Sequence, residues 1–400
     1  MTSEAQATPI LAGIRVLDFG RYIAGPYCAT LLGEFGADVI RVEKRSGSED
    51  RFSTPVSPDG PGALFLQMAR NKRSLTLDPM KAEAAPLMRR LIESADVVVA
   101  NLPGPMLARM GLDYASLSAI NPRIILTHPS AFGAQGPWAE RVGFDGVGQV
   151  MSGSVFMTGE ADRPFRAQAP YVDFGTALHC ALGTVLALFQ REKTGRGQQV
   201  SGNLLATAIT INNAALIEQA MLQLNRQPSG NRGQTSAPVD LYRTKDGWIL
   251  CQVVGNPLFV RWANLVGAQD WLSDPRFASD EARGDHGAIV SERMQRWCLD
   301  YTTDQALNLL GEARVPCAPV LTQQQALDHP AVQGLGLLQA LEVAGVGKSA
   351  PIARAPVWLS DNDGQISRRA PLLGEHTDEI LAELGYDEAD MRAFEQAGVI

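Results

Sequence analysis

The chain has 400 residues, with 35 Lys and Arg against 43 Asp and Glu, a formal net charge of −8 at pH 7. This acidic balance argues against a protein that coats nucleic acid or an anionic membrane, because such binding depends on surplus Lys and Arg. A composition of 45% hydrophobic and 20% charged residues is typical of a globular protein with a sizeable core, and it excludes disorder as the main state.

The first 130 residues alternate short apolar runs with helical segments. The predicted strands are IRVLDFG (14–20), DVIRVEK (38–44), KRSLTLD (72–78), DVVVANL (96–102) and RIILTHPS (123–130). Between the first two strands we predict a helix that Gly25 and Pro26 open and Gly36 closes, and a second helix is predicted over 80–94. This repetition predicts an α/β fold with a Rossmann-like, doubly wound sheet, on which ligands lie at the carboxyl ends of the strands.

The middle of the chain is predicted to be helical, with one helix over 176–195 and a second, after an extended start, within 197–222. A polar break at 225–238 precedes a predicted hairpin over 239–254, helices around 256–313 and a short strand at PCAPVL (316–321). A last strand is predicted at APVWLS (355–360), followed by a terminal helix. We therefore predict a large Rossmann-like domain over 1–225, completed by 330–400, and a small α+β domain over 228–325.

The five cysteines are widely spaced and form no CxxC pair, which indicates reduced thiols in an intracellular protein. Residues 1–10 have neither the basic region nor the apolar stretch of a signal peptide, and no uninterrupted apolar run approaches the ~18 residues of a membrane span. We expect a cytoplasmic protein with no membrane and no nucleic-acid partner.

The common nucleotide and metal motifs are missing. Residues 345–349, GVGKS, resemble the end of a phosphate-binding loop, but Glu342 occupies the position of its first glycine. No GxGxxG follows the first strand, as nicotinamide binding would require. The five histidines lack metal-ligand spacing, so no metal site and no tightly bound cofactor are predicted.

Asp173 is the most unusual charged residue, because it lies between apolar neighbours in YVDFG (171–175), directly before the predicted helix. A carboxylate in this place can simply cap the helix by accepting backbone N–H bonds. In an apolar setting it can also act as a nucleophile or base, since its charge is incompletely solvated. The spacing alone leaves both interpretations open.

Several long segments, in order, resemble the signature segments of the family III CoA-transferases. They are residues 13–44, 71–78, 95–126, 171–200 and 370–381, the last reading APLLGEHTDEIL. The family includes formyl-CoA and carnitine-CoA transferases, with α-methylacyl-CoA racemase as a relative. The resemblance covers nearly the whole chain and implies an enzyme that moves CoA from an acyl-CoA thioester to a free carboxylic acid.

The resemblance places the family's nucleophile on Asp173 and implies a covalent route through aspartyl anhydride and aspartyl thioester intermediates. It implies coenzyme A and acyl-CoA as substrates, without ATP. CoA contacts are implied at seven positions: Ile23, Ala24, Lys44, Leu77, Asn101, Leu102 and Arg109. Lys44 and Arg109 of this set, together with Arg73, offer cations for the CoA phosphates. Each of the three is also explained as a solvated surface charge.

The main alternative is racemisation at the carbon next to the thioester, which needs two acid/base groups. The racemases carry a histidine in a Gly-His-Asp context, whereas this chain has Gly143-Phe144-Asp145, and a phenyl ring cannot move a proton. This difference favours transfer, with Asp145 orienting Asp173, or else serving only as a turn residue. A non-catalytic CoA-binding protein is the second alternative.

The acyl group is not evident from the sequence. Arg166 and Arg232 are candidate partners for a substrate carboxylate, and SGNRGQ (229–234) lies where relatives carry a mobile glycine-rich loop, or is a simple interdomain turn. Relatives form an interlinked dimer, so the resemblance implies an interlinked homodimer here.

Overall fold

The computed structural model describes residues 8–58 and 60–400. Most of residues 1–10, from which we predicted that there is no signal peptide, lies outside the described residues. Within those residues the strands, in chain order, are β1 (Arg15–Asp18), β2 (Asp38–Glu43), β3 (Lys72–Thr76), β4 (Val97–Val99), β5 (Ile125–Ser130), β6 (Gly159–Glu160), β7 (Arg163–Pro164), β8 (Gln199–Asn203), β9 (Val239–Arg243), β10 (Trp248–Gln252), β11 (Cys317–Pro319), β12 (Leu338–Val343) and β13 (Lys348–Ala353).

The helices of the same residues are α1 (Ala24–Glu34), α2 (Ala63–Ala69), α3 (Ala85–Ser94), α4 (Gly104–Arg109), α5 (Tyr114–Ile120), α6 (Asp145–Met151), α7 (Ser154–Met157), α8 (Tyr171–Thr194), α9 (Leu204–Leu222), α10 (Asn256–Leu265), α11 (Asp280–Asp285), α12 (Gly287–Leu299), α13 (Thr303–Glu312), α14 (Gln323–Asp328), α15 (Pro330–Gly334), α16 (Thr377–Glu383) and α17 (Glu388–Gln396). Short 3₁₀ helices cover Glu49–Phe52, Ala82–Ala84, Gln269–Ser273 and Pro275–Phe277.

A six-stranded parallel sheet forms the centre of the first part of the chain, in the order β3-β2-β1-β4-β5-β8. Counted among themselves, these strands follow the order 3-2-1-4-5-6 of doubly wound sheets. The predicted α/β fold is confirmed. The direction of winding reverses between β1 and β4, and ligands of such sheets bind outside the carboxyl ends of the strands at that point. We call these ends, at Asp18, Glu43, Thr76, Val99 and Ser130, the carboxyl edge.

Both faces of the sheet are covered because its strands are apolar on both sides. Leu17, Ile40 and Val98 lie in one core cluster with Leu87 and Leu91 of α3. Their neighbours in the strands, Val16, Val39 and Val97, lie in a second cluster with residues of α1 and α8. Successive strand residues point to opposite faces, so the uninterrupted apolar runs of the sequence produce a sheet with both faces buried.

Helix α8 begins at Tyr171, earlier than predicted, and ends at Thr194, where the following Gly195 adopts a left-handed conformation with φ 71°. Asp173 therefore lies inside the first turn of the helix and not before it. By length and composition α8 could cross a membrane, contrary to our expectation, although half of its apolar window is buried inside the protein, as is usual for core helices.

The chain forms two compact units. The first contains residues up to Ser152, Gln168–Ala214 and Gln333–Ile400, and the second contains Gly153–Ala167 and Ala215–Val332. The predicted domains differ from these units at 153–167, at the end of α9 and at 330–332, which belongs to the second unit. The Gly230 N–H donates to the Gly159 carbonyl at 2.7 Å, and Arg226 pairs with Glu218 at 2.6 Å. These contacts tie both segments to the second unit.

The second unit contains the antiparallel sheet β11-β10-β9 with a core around Trp262, as an α+β unit would. In the first unit, the β12–β13 hairpin was not predicted. The glycines of GVGKS lie in its turn, with Gly345 and Gly347 at φ 77° and 68°, while Lys348 and Ser349 begin β13. The strand predicted over 355–360 is wrong, because that segment has no regular structure.

Candidate active site

Asp173 lies in the first turn of α8 and is buried, with 9% of its surface exposed. The capping role considered for it belongs to another residue. Asp145, the first residue of α6, accepts hydrogen bonds from the backbone N–H groups of Val172 at 2.7 Å and Asp173 at 3.0 Å through Oδ1. These are N–H groups that a helix start leaves without an intrahelical partner. The Asp173 carboxylate is thus not needed to cap its own helix.

Asp145 is itself held firmly. Its Oδ2 accepts a hydrogen bond from the Gln149 side chain, one turn along α6. A Cβ at Gly148 would lie 2.8 Å from Val172 Cγ1 and 3.0 Å from the Leu204 carbonyl oxygen. Glycine therefore permits α6 to approach the starts of α8 and α9 closely. The chain folds so that one buried carboxylate caps the helix that carries the other.

Burial raises the pKa of Asp173 to about 7, and the negative charge of Asp145 adds to the rise. A hydrogen bond with the backbone of Asp145 acts in the opposite direction. Near neutral pH the Asp173 side chain is consequently present in both its ionised and its protonated form. Its charged form is poorly solvated, which is the environment that raises the reactivity of a carboxylate nucleophile.

The turn between β1 and α1 lies at the point where the sheet reverses direction, and it carries the predicted Ile23 and Ala24, both buried. Asn101, which follows β4, holds this turn with its amide group: Oδ1 accepts from the Arg21 N–H at 2.6 Å and Nδ2 donates to the Arg21 carbonyl at 2.8 Å. A Cβ on Gly25 would lie 3.3 Å from the Asn101 side chain. The turn and the end of β4 are therefore in direct contact.

Two aromatic contacts join this turn to the aspartates. The Tyr22 and Phe144 rings meet edge to face at 5.2 Å, and Tyr27 of α1 meets Phe174 in the same way at 4.8 Å. Phe144 directly precedes Asp145, and Phe174 directly follows Asp173. The structure thus brings the β1–α1 turn, Asn101 and both aspartates into one region of the first unit.

The other predicted positions follow the same edge. Lys44 comes after β2, is half exposed and forms an ion pair with Glu49. Leu77 comes after β3, is buried and donates its N–H to the Glu43 carbonyl at 2.7 Å. Leu102 comes after β4, and its carbonyl is bonded to His128 Nε2 at 2.9 Å. Arg109 ends α4 and is exposed.

Arg73 does not belong with these residues, and its prediction as a phosphate contact needs correction. It is the second residue of β3, at the opposite, amino end of the sheet. Its guanidinium pairs with Asp38 at 2.6 Å, Glu379 at 2.9 Å and Glu383 at 2.7 Å, and it is buried. With its donors occupied by three carboxylates, Arg73 ties α16 to the sheet.

Sequence reasoning missed a buried charged cluster beneath the β1–α1 turn. Lys72 Nζ donates to Asp18 Oδ2 and to the Pro26 carbonyl, both at 2.7 Å. Arg41 pairs with Asp50 at 2.7 Å, and Asp50 also accepts from the Tyr22 N–H at 3.2 Å. Burial lowers the pKa of Lys72 to about 8, while Lys72 and Arg41 together outweigh burial and hold the pKa of Asp18 below its usual value. Pairs this far apart in sequence leave no local signal.

The remaining candidates lie elsewhere. Arg166 and Arg232, and the segment 229–234, belong to the second unit. Arg166 is exposed and donates to the Ala167 carbonyl at 3.0 Å. Burial lowers the pKa of His128. Among residues 8–58 and 60–400, no group of three or more His, Cys, Asp or Glu side chains could hold a metal ion.

Comparison with known proteins gives a consistent result. A family model described as CoA-transferase family III matches residues 11–377. The chain is similar to a succinyl-CoA–D-citramalate CoA-transferase of Chloroflexus aurantiacus, with 32% identity and 100% of both chains covered. It is also similar to a succinate–glutarate CoA-transferase of Agrobacterium fabrum, with 33% identity over 96% of this chain and 98% of that protein. A CaiB/BaiF family protein from Brucella suis has a similar crystal structure, with a TM-score of 0.81, 31% identity and coverage of 94% and 100%.

Proposed function

The chain belongs to CoA-transferase family III, a family of enzymes, and we propose that it moves CoA from an acyl-CoA thioester to a free carboxylic acid through covalent intermediates on Asp173. The observation that carries this proposal is the buried carboxylate of Asp173, freed from capping its helix by Asp145. Such a group is available as a nucleophile on a rigid element beside the carboxyl edge.

The proposed reaction proceeds in balanced steps. The Asp173 carboxylate attacks the thioester carbonyl of the donor, the C–S bond breaks, and a mixed anhydride and CoA thiolate form. The thiolate then attacks the aspartyl carbonyl, which releases the donor acid and leaves an aspartyl-CoA thioester. The acceptor carboxylate attacks this thioester, again giving an anhydride and thiolate, and the thiolate attacks the acyl carbonyl of the acceptor. The products are the new acyl-CoA and free Asp173, without ATP.

Asp145 acts as a positioning residue in this scheme. Its hydrogen bonds to the backbone of Val172 and Asp173 fix the first turn of α8, and its charge raises the pKa of Asp173. A more basic carboxylate is a stronger nucleophile once it is ionised, and it is also the poorer leaving group. Burial of the site keeps water from hydrolysing the anhydride.

For the CoA itself we propose contacts from Ile23, Ala24, Lys44, Leu77, Asn101, Leu102 and Arg109. The first six follow β1, β2, β3 or β4 at the carboxyl edge, on both sides of the reversal point, where phosphate-bearing ligands bind on doubly wound sheets, and Arg109 ends the helix after β4. Lys44 and Arg109 are exposed cations suited to phosphate groups. The acceptor is proposed to be a dicarboxylic acid, since the named relatives include transferases for succinate, glutarate and citramalate.

Racemisation is the less favoured alternative. The position that would need a proton-transferring side chain carries Phe144, whose ring packs against Tyr22. His128 is the nearest alternative base in sequence, and its Nε2 is bonded to the Leu102 carbonyl at 2.9 Å. Both observations favour transfer over exchange of an α-proton.

One assay separates the alternatives. The protein is incubated with acyl-CoA donors and free acids in deuterated water, and new thioesters and α-deuterium incorporation are measured together. Transfer predicts new thioesters that vanish in Asp173→Asn, and hydroxylamine added during turnover should convert Asp173 to a hydroxamate that mass spectrometry locates. Transfer retained by Asp173→Asn would refute the nucleophile. Deuterium incorporation without new thioesters would support a racemase, and neither signal would support a non-catalytic protein.

The protein is further proposed to be a cytoplasmic homodimer, interlinked as the resemblance implies. The side of α8 away from the core supports an association, because Leu178, Leu182, Leu186 and Phe189 are 47–63% exposed. Their spacing places them along one face of the helix. An apolar stripe of this kind usually marks a surface that another chain covers.

A further inference from the structure

Arg21 is a cation that neither the motifs nor the resemblance single out, although it lies in the β1–α1 turn. Its backbone is held on both sides by the Asn101 amide. Its Nη1 donates to the Phe19 carbonyl at 3.0 Å and to the Gly20 carbonyl at 2.9 Å. The guanidinium is therefore oriented by its own turn before any ligand arrives, which reduces the entropy that binding would cost.

Three buried cations near this turn are paired with carboxylates. Arg41 pairs with Asp50 at 2.7 Å, Lys72 with Asp18 at 2.7 Å and Arg51 with Glu43 at 2.5 Å. Arg21 differs: within residues 8–58 and 60–400, no carboxylate oxygen forms an ion pair with it at 4.0 Å or less. Burial, and then the positive charge of Arg41, lower the pKa of Arg21, while the negative charges of Asp50, Asp18 and Glu43 act in the opposite direction. A partly buried guanidinium without a direct ion pair still gains from an anion that binds its free donors.

The place of Arg21 indicates which anion this is. The next residue, Tyr22, contacts Phe144, which precedes Asp145, the cap of the helix that carries Asp173. The turn that carries Arg21 is thus in contact with the segment that leads to Asp145. The planar fork of a guanidinium matches a carboxylate in two parallel hydrogen bonds, which a lysine cannot offer.

We propose that Arg21 binds the second carboxylate of a dicarboxylic acid substrate and so selects dicarboxylic over monocarboxylic acids. This inference rests on the proposed CoA transfer and adds the residue that recognises the acid. Asn101 has a supporting part, because its two hydrogen bonds set the position of the turn from which the Arg21 side chain projects.

The test compares glutarate with pentanoate, acids of the same chain length that differ by one carboxylate. We measure kcat/KM for each acid with one acyl-CoA donor in the wild type, Arg21→Gln, Arg21→Lys and the control Arg89→Gln, an exposed arginine of α3. Arg21→Gln should reduce the preference for glutarate by about 30-fold, the size expected for hydrogen bonds to a charged group, and Arg21→Lys by less. The control should retain the wild-type preference, and the KM for the donor should remain within about twofold in every variant.

Other results would overturn the inference. An equal loss for both acids would mean that Arg21 only holds its turn, and a change confined to the KM of the donor would make it a phosphate contact. A wild type without preference for glutarate would also contradict it. Calorimetric binding of glutarate and pentanoate to the wild type and to Arg21→Gln keeps the test independent of turnover. If no acid is a substrate but Arg21-dependent glutarate binding persists, the proposed reaction fails and this inference stands.

Discussion

The carboxylate of Asp173 is costly to ionise because it is buried and lies beside the carboxylate of Asp145. The same neighbour relieves Asp173 of capping the helix, since Asp145 accepts the two N–H groups at its start. Asp145 therefore fixes the position of the first turn of α8 and also contributes to the raised pKa of Asp173. This division of labour between two carboxylates is a common way to separate a reactive group from the group that positions it.

The pH dependence of transfer follows from this environment. Because the nucleophile must be ionised and the pKa of Asp173 is raised to about 7, kcat/KM should increase with pH up to that value and then level off. An ordinary aspartate would already be fully active above about pH 5. Asp145→Asn retains an oxygen acceptor for the helix N–H groups but removes the charge. The pKa of Asp173 should then be less raised, and the increase of kcat/KM with pH should occur at a lower pH than in the wild type. A wild-type profile that is flat from pH 5 to 9 would contradict the raised pKa.

Ionisation of Asp173 should lower the stability of the fold, although it increases the activity. A carboxyl whose pKa is higher in the folded state binds more protons there, so folding loses stability as pH rises from the unfolded pKa of about 4 through 7. Asp173→Asn has no charge to bury and should be more stable than the wild type by about 4 kcal/mol at pH 8. The gain should disappear near pH 4.

Thermal melts at pH 8 and pH 4.5 test this expectation. The control is Asp361→Asn, an exposed aspartate, for which the two melting temperatures should follow those of the wild type. If Asp173→Asn is no more stable than the wild type at pH 8, the cost of burying the charge has been overstated and the raised pKa loses its support.

At the scale of elements, the β1–α1 turn depends on Asn101. Asn101→Ala removes both hydrogen bonds to the Arg21 backbone and should cost about 2 kcal/mol of stability. It should also weaken CoA binding, because the turn carries Ile23 and Ala24. Asn121 is a matched control: its amide joins the Ile92 and Ala95 carbonyls at 3.2 and 2.8 Å, away from this turn.

Asn121→Ala should therefore lose similar stability but bind CoA as the wild type does. Calorimetric titration with CoA and a melting curve for each variant provide the measurements. Equal CoA affinity in the two alanine variants would show that the turn does not contribute to the CoA site.

Elements with continuous apolar runs could be predicted from the sequence, because both faces of a parallel strand are buried. The start of α8 was placed too late, since Asp173 interrupts its apolar pattern and the residue that caps it, Asp145, is distant in sequence. Arg73 was predicted as a phosphate contact, although it lies at the amino end of the sheet. Its sequence position indicates a strand, but only the fold shows that Asp38, Glu379 and Glu383 surround its guanidinium. The Lys72–Asp18 pair escaped prediction for the same reason.

For the molecule as a whole, the acidic balance belongs largely to the end of the chain. Residues 371–400 hold eight acidic and one basic side chain. Several of these acids bind the main body of the first unit: Glu383 pairs with Arg15 at 2.8 Å and with Arg73 at 2.7 Å. These ion pairs fasten α16 to the amino end of the sheet, while the chain end reaches the carboxyl end of β3, where the Val399 carbonyl accepts from the Asp78 N–H at 2.8 Å.

Two chains are expected to associate through α8. The exposed apolar face of α8 should lie in the dimer interface, so Leu182→Glu and Leu186→Glu, each 58% exposed in one chain, should convert the dimer to a monomer or to aggregates. Leu335→Glu, at a position 56% exposed outside this helix, should remain dimeric. Light scattering after gel filtration measures the mass of each variant.

The wild type itself is part of this test, because α8 also has the length and composition of a membrane span. A dimer recovered from the soluble fraction without detergent would assign the apolar face to contact between chains. A wild type found in the membrane fraction, or a soluble monomer with α8 exposed, would contradict the dimer. Because half of the apolar window of α8 is already buried against its own chain, with the Asp173 carboxylate near its start, we expect the soluble dimer.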